Sequence, residues 1–311
     1  MSGPSKVTII GAGNVGATCA QRIAERGYAD VVLLDIIEGL PQGKALDIQQ
    51  SAQVLRFDSR IVGTNSYEET ADSDVVVITS GSPRKPGMTR DDLLLTNMKI
   101  VGGVTEKVVG KSPDCVIVVA TNPVDAMVQL ALHVSKFPRE RVIGLSGVLD
   151  AARLSLFVAD ELKMDVDAVD ACVLGEHGKN MVVIPRLTTV NGTPITELLS
   201  AKIISKLVER TVGGGAEIVG LLKSGSAFYA PSAAIEHMVE SILLDRKRTL
   251  CCAVRLDGEY GLKDTVISVP VKLGEGGVSE VVELDLTAKE RQALSISAQA
   301  VRELIGIMKL E

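Results

Sequence analysis

Short, continuous apolar runs recur through the first half of the chain: KVTII at 6–10, VVLLD at 31–35, VVVIT at 75–79, VIVVA at 116–120 and VIGL at 142–145. They are rich in β-branched residues and do not alternate polar with apolar, so each predicts a strand covered on both faces. Between them lie stretches with helical periodicity at 14–26, 93–109 and 123–134. Strand, helix and strand in repetition predict a parallel sheet with helices on both sides, a doubly wound α/β domain over residues 1–145.

The second half follows another pattern. Residues 150–162 are helical in period, and 182–190 and 193–195 flank Asn191-Gly192, a hairpin signal. A long helical stretch at 201–223 carries Gly213-Gly214-Gly215, which predicts a break or kink there. A further helix is expected at 232–244. Strands at 251–256, 266–273 and 278–283 are separated by the Gly-rich turns DGEYG and GEGG, which predicts an antiparallel meander. An amphipathic helix at 287–310 closes an α+β domain over residues 146–311.

Composition narrows the choices. With 46% hydrophobic residues, only 3% aromatic and no Trp, a large core must be built from Val, Ile, Leu and Ala. A net charge of -6 argues against nucleic acid or an anionic membrane as partner. The start MSGPSKVTII lacks the features of a secretory signal and every apolar run is strand-length, so a soluble cytoplasmic protein is expected. Five cysteines without a CxxC suggest neither a disulfide framework nor a zinc site, and no metal is expected.

Gly11-Ala12-Gly13-Asn14-Val15-Gly16 follows a predicted strand and opens a predicted helix. The first glycine permits a tight turn, the second lets backbone approach a pyrophosphate, and the third allows close helix–strand packing. The diphosphate would rest on the helix N-terminus. The pattern alone is weak, but the next predicted strand ends at Asp35, where a carboxylate can accept from both ribose hydroxyls and repel a 2′-phosphate. NAD is therefore expected over NADP, in a Rossmann-type domain.

A second group of residues lies beyond it. Gly175-Glu176-His177-Gly178 sets one of three histidines between glycines, whereas His133 and His237 fall in helical patterns. Asp150 and Arg153 in LDAAR share one helix face; a local ion pair with Asp150 capping the helix is the plain alternative. SPRKPGMTR at 82–90 places Arg84, Lys85 and Arg90 at the carboxyl edge of the predicted sheet, where ligands of such folds bind. Asn122 in ATNPVD also ends a strand, before a proline that can open a helix at its first position.

GAGNVG with Asp35, SPRKPGMTR, TNPVD, LDAAR and GEHG together resemble the lactate/malate dehydrogenase family in order and spacing, over essentially the whole chain. The resemblance implies His177 as acid/base and Asp150 as the group that orients its ring. It implies Arg153 as the fork for the C1 carboxylate, Arg90 as the group polarising the carbonyl, and Asn122 as a donor to the same oxygen. Asn97, Thr121 and Asn122 would contact NAD, beside Gly11, Gly13, Asn14, Val15, Gly16 and Asp35. Arg84 implies the malate branch, since lactate enzymes typically carry glutamine there. Charge agrees: oxaloacetate has two carboxylates and Arg153 meets one, while an enclosed Arg84 without a partner would cost on the order of several kcal/mol. The loop at 80–90 is expected to act as a lid hinged at Gly81 and Gly87. A homo-oligomer, tetramer or dimer, is implied as well. Lys179-Asn180 departs from the acidic residue usual after GEHG, and Ser224 from a common threonine. The rival readings are a lactate or other 2-hydroxyacid dehydrogenase of the same fold, and a catalytically silent NAD-binding protein.

Overall fold

The computed structural model describes residues 4–82 and 87–310 and, within these, every side chain but that of Arg90. The first half builds six parallel strands: β1 (Lys6–Ile10), β2 (Asp30–Leu34), β3 (Ile61–Thr64), β4 (Val75–Ile78), β5 (Val116–Val119) and β6 (Val142–Gly144). Their spatial order is β3-β2-β1-β4-β5-β6, so the order reverses between β1 and β4 and leaves a crevice at their carboxyl ends. Helices α1 (Asn14–Arg26), α2 (Leu40–Gln50), α3 (Ala52–Leu55), α4 (Arg90–Lys111) and α5 (Val124–Ser135) fill the connections.

Two-residue periodicity decides which strand residues meet which helices. Val7, Ile9, Leu33, Val75 and Val77 share one core with Cys19 and Ile23 of α1. Ile10, Leu34, Val76 and Ile78 face the other way, onto Leu94 and Val101 of α4 and Met127 of α5. Every one of these residues is buried, which is why the strands read as unbroken apolar runs.

The pattern did not predict β3 or α2. β3 is a four-residue edge strand with two half-buried positions, and α2 carries Pro41 in its first turn and also contains Gly43, so neither has a clean period. Helix α4 starts three residues before its apolar pattern because Thr89 and Asp92 form a reciprocal capping box, the Thr89 hydroxyl accepting from the Asp92 N–H at 3.1 Å. Pro123 caps α5 instead of opening it, and the Asn122–Pro123 peptide is cis.

The second half comprises α6 (Gly147–Leu162), β7 (Val169–Asp170), β8 (Val173–Gly175), β9 (Met181–Val183), β10 (Thr189–Val190), β11 (Thr193–Pro194) and α7 (Ile195–Leu198). After these come α8 (Ala201–Leu222), α9 (Tyr229–Leu243), β12 (Arg248–Asp257), β13 (Lys263–Gly274), β14 (Gly277–Val281) and α10 (Ala288–Met308). Asn191 and Gly192, both at positive φ, turn the β10–β11 hairpin as expected, although the strand expected at 182–190 is split into β9 and β10. The antiparallel β12–β13–β14 meander is present, but it does not form a sheet of its own. Ala253 of β12 pairs with Gly144 of β6, and Ser268 of β13 pairs with Gly175 of β8, so one sheet runs through both halves.

Helix α8 corrects another expectation: it runs unbroken through Gly213-Gly214-Gly215. Its stability comes from packing on α6, and Gly214 is buried there against the side chain of Arg153. Gly214 and Gly215 mark a close approach to Arg153, not a break.

Candidate active site

The glycine turn leaves β1 at Gly11, whose φ of +110° and tight packing exclude a side chain; a Cβ there would lie 2.7 Å from the Ser80 N atom. Gly16, in the first turn of α1, faces the Gly11 carbonyl so closely that a Cβ would stand 1.9 Å from that oxygen. Gly13 differs: nothing lies within 4 Å of its missing Cβ. It is exposed with Asn14, and no side chain caps α1, so the helix presents free N–H groups to open space. That is the form of an anion cradle, and it fits a dinucleotide diphosphate.

Asp35 follows β2 and fixes the edge of this cradle, accepting from the Ala12 N–H at 2.7 Å and the Ile37 N–H at 3.0 Å. A carboxylate offers about four acceptor positions, which leaves capacity for a diol. Lys44 on α2 closes the turn from the other side, donating to the Ala12 carbonyl at 2.8 Å.

His177 emerges just past β8, and the backbone flanking it is held twice. Gly175 turns with φ +91°, and the Glu176 N–H then donates to Ser297 Oγ on α10 at 2.7 Å. The His177 N–H donates to Asp125 Oδ2 on α5 at 3.0 Å. On the side-chain side, His177 Nδ1 lies 2.8 Å from Asp150 Oδ2. A buried carboxylate acceptor fixes the proton on Nδ1 and leaves Nε2 to exchange protons with a ligand. The other oxygen of Asp150 accepts from Arg153 Nη1 at 3.0 Å, one helical turn along α6. Asp150 is only 1% exposed and so joins the two cations in a dry setting, near the positive end of α6. It does not cap α6; Ser146 occupies that position.

Burial alone would push the His177 pKa down, but the Asp150 carboxylate, and behind it Asp125, outweigh this and leave it raised. Asp125 is perturbed as well. It is buried and its Oδ1 has no hydrogen-bond partner among the described residues. Burial pushes its carboxyl up to about 7 against the pull of the His177 amide. Asp125 stood in the quoted TNPVD motif without an assigned role, and Ser297 carried no signal at all; both are found only by contacts across more than 50 residues of sequence.

A cavity of about 360 Å³ joins the two groups of residues, lined by Val15 of α1, Asn122, Leu149, Arg153, His177 and Gly215. Asn97 and Thr121 form its support. Asn97 accepts from the Ser82 N–H and donates to the Asn122 carbonyl, both at 2.7 Å, and the Thr121 hydroxyl donates to the Ser80 carbonyl at 2.7 Å. Arg84 lies outside the described residues; Arg90 opens α4, with its side chain outside them too. Among the described residues no cluster of three or more His, Cys, Asp or Glu is placed to hold a metal, and no helix is long and apolar enough to cross a membrane.

A doubly wound sheet with a capless, glycine-lined helix N-terminus, opening into a cavity with a carboxylate-backed histidine, defines an NAD-dependent oxidoreductase. The comparisons agree: the NAD binding domain of lactate/malate dehydrogenase matches residues 5–144, and the alpha/beta C-terminal domain of the same family matches residues 147–309. The chain belongs to the lactate/malate dehydrogenase family. It is 58% identical to a malate dehydrogenase of Thermomicrobium roseum, over 98% of both proteins. The structure of malate dehydrogenase from Salinibacter ruber superposes with a TM-score of 0.94 at 50% identity, covering 98% of this chain and 97% of that one. A lactate dehydrogenase from Cryptosporidium parvum, complexed with lactic acid and nicotinamide adenine dinucleotide, superposes with a TM-score of 0.96 at 36% identity over 99% of both chains.

Proposed function

We propose that the chain interconverts (S)-malate and oxaloacetate, as an NAD-dependent malate dehydrogenase. The observation that carries the dehydrogenase part of this reading is Asp150, which ties His177 and Arg153 together in the cavity that opens from the glycine turn. When bound, NAD supplies the hydride acceptor, and in reduced form the donor. Gly11, Gly13, Asn14, Val15 and Gly16 hold its diphosphate and Asp35 its ribose, with Asn97, Thr121 and Asn122 shaping the wall further in.

Toward the substrate, His177 Nε2 takes the hydroxyl proton of malate and returns it in the reverse direction. Asp150 stabilises the imidazolium so formed. Arg153 grips the C1 carboxylate as a two-pronged fork, which a lysine cannot reproduce. Arg90 and Asn122 stabilise negative charge at the reacting oxygen. Arg84 meets the second carboxylate. Malate and lactate enzymes share this backbone, so the substrate reading rests on the cation at Arg84 and on relatives such as the malate dehydrogenase of Thermomicrobium roseum.

We further read the enzyme as a cytoplasmic homo-oligomer, dimer or tetramer. Leu46, Val54 and Leu55 on α2 and α3 are each more than half exposed, an apolar ridge that a second copy would cover.

NADH oxidation followed by absorbance tests the substrate. Wild type is expected to turn over oxaloacetate and to leave pyruvate almost untouched. Arg84→Gln should reduce that preference by on the order of tenfold or more, the scale of a lost enclosed ion pair. Equal turnover of the two substrates by wild type, or an unchanged ratio in Arg84→Gln, would overturn the proposal.

A further inference from the structure

Glycine is an expensive residue in the middle of a helix, and α8 carries Gly213, Gly214 and Gly215 in succession without kinking. The three do not have the same surroundings. A Cβ on Gly213 would meet nothing within 4 Å. A Cβ on Gly214 would stand 3.1 Å from Arg153 Cδ and 3.5 Å from its Nε, and one on Gly215 would stand 3.6 Å from Nη2. The bare backbone of α8 thus lies along the length of the Arg153 side chain.

Arg153 has little freedom to yield. Its Nη1 is bonded to Asp150 at 3.0 Å, its side chain is 14% exposed, and Asp150 is itself bonded to His177. A methyl group at position 214 would displace the stem by a few tenths of an ångström at the position where the guanidinium is anchored.

We propose that Gly214 is a positioning residue: the absence of its side chain sets the depth at which Arg153 lies in the cavity, and with it the strength of the grip on the substrate carboxylate. This rests on the reading of Arg153 as the carboxylate fork. Carboxylate recognition by a planar fork depends on angle as well as distance, so a shift of that size weakens two hydrogen bonds together. A lost helix break explains nothing here, since α8 stays continuous; clearance for one side chain accounts for the buried glycine.

The test compares alanine variants on one helix. Gly213→Ala fills open space and replaces the poorest non-proline helix former with the best, so its Tm should rise, by about 2 °C for a chain of this length, with kinetics unchanged. Gly214→Ala should bind NADH within twofold of wild type, by fluorescence quenching, while its KM for oxaloacetate rises about five- to tenfold and kcat changes less. An unchanged KM in Gly214→Ala overturns the inference. So does a Gly214→Ala protein that fails to fold or to bind NADH, because the glycine would then serve helix packing and not the placing of Arg153. Arg153→Lys separates this result from the underlying reading. If its KM for oxaloacetate equals that of wild type, the carboxylate role of Arg153 falls; if it rises far above wild type while Gly214→Ala stays unchanged, only the clearance role falls.

Discussion

Replacing Asp150 by Asn keeps the shape of the side chain and removes one negative charge from a site that is 1% exposed. With Nδ1 and Oδ2 2.8 Å apart, the charge centres of imidazolium and carboxylate lie about 4 Å apart. At an effective dielectric of about 20 their attraction is worth about 4 kcal/mol. Its loss lowers the His177 pKa, because the carboxylate is what holds the imidazolium against burial. Reduction of oxaloacetate needs the imidazolium, so the descending limb of kcat/KM against pH should move toward acid. At pH 7 the rate should fall on the order of 10³-fold. Malate oxidation at high pH should lose less, because its starting state holds neutral His177 and the full charge never has to form beforehand. The assay is a pair of pH–rate profiles, one in each direction, with NADH affinity as a check that the cleft is intact. A descending limb that stays in place, with activity lost evenly at every pH, would show that Asp150 acts only by holding geometry.

Asp125→Asn removes a second, weaker negative neighbour of His177, so the same limb should move acidward by less than in Asp150→Asn. Its stability effect has a defined sign. The folded pKa, about 7, lies above the unfolded value of 3.8, so this group's contribution is present below pH 3.8 and lost as pH rises through 7; denaturation of Asp125→Asn should show a shallower decline over that window. Glu259 behaves oppositely: Arg139 grips it with two hydrogen bonds, at 2.8 and 3.2 Å, and holds its carboxyl down at about 2 against an ordinary 4.5. That difference corresponds to about 3 kcal/mol undiscounted and about 1–2 kcal/mol after screening at a partly exposed site. Its benefit is present above pH 4.5 and lost as pH falls through 2, so the Tm deficit of Glu259→Gln should be full near neutrality and close on acidification. Gly16→Ala would drive a methyl group to within 1.9 Å of the Gly11 carbonyl, so NADH affinity should fall by at least about tenfold, read by fluorescence titration; unaltered affinity would refute the turn's assignment.

Much of the fold is legible because β1, β2, β4 and β5 are buried on both faces and read as apolar runs. Edge strand β3 is not, since half of its four residues need no burial. The glycines of α8 mislead for a related reason: propensity records the cost to the helix and not the neighbour that requires it. In the site, His177, Asp150 and Arg153 stand in short motifs whose chemistry is local. Asp125 holds the His177 amide from 52 residues away and Ser297 the neighbouring Glu176 amide from 121 residues away, relations that no periodicity encodes.

The hydrogen-bonded ladder from β3 to β9 has a mechanical meaning. The glycine turn leaves from β1 and the His177 loop from β8, and both strands are rungs of one ladder. Two lobes on a linker would have to find each other before each turnover. Here the spacing between the glycine turn and His177 is counted out in strands, and it cannot drift without breaking backbone hydrogen bonds at β6–β12 and β13–β8. The sheet acts as a ruler laid across the cleft, and on the proposed mechanism the orientation of the hydride and proton sites relative to each other is settled when the chain folds, not when the substrate arrives.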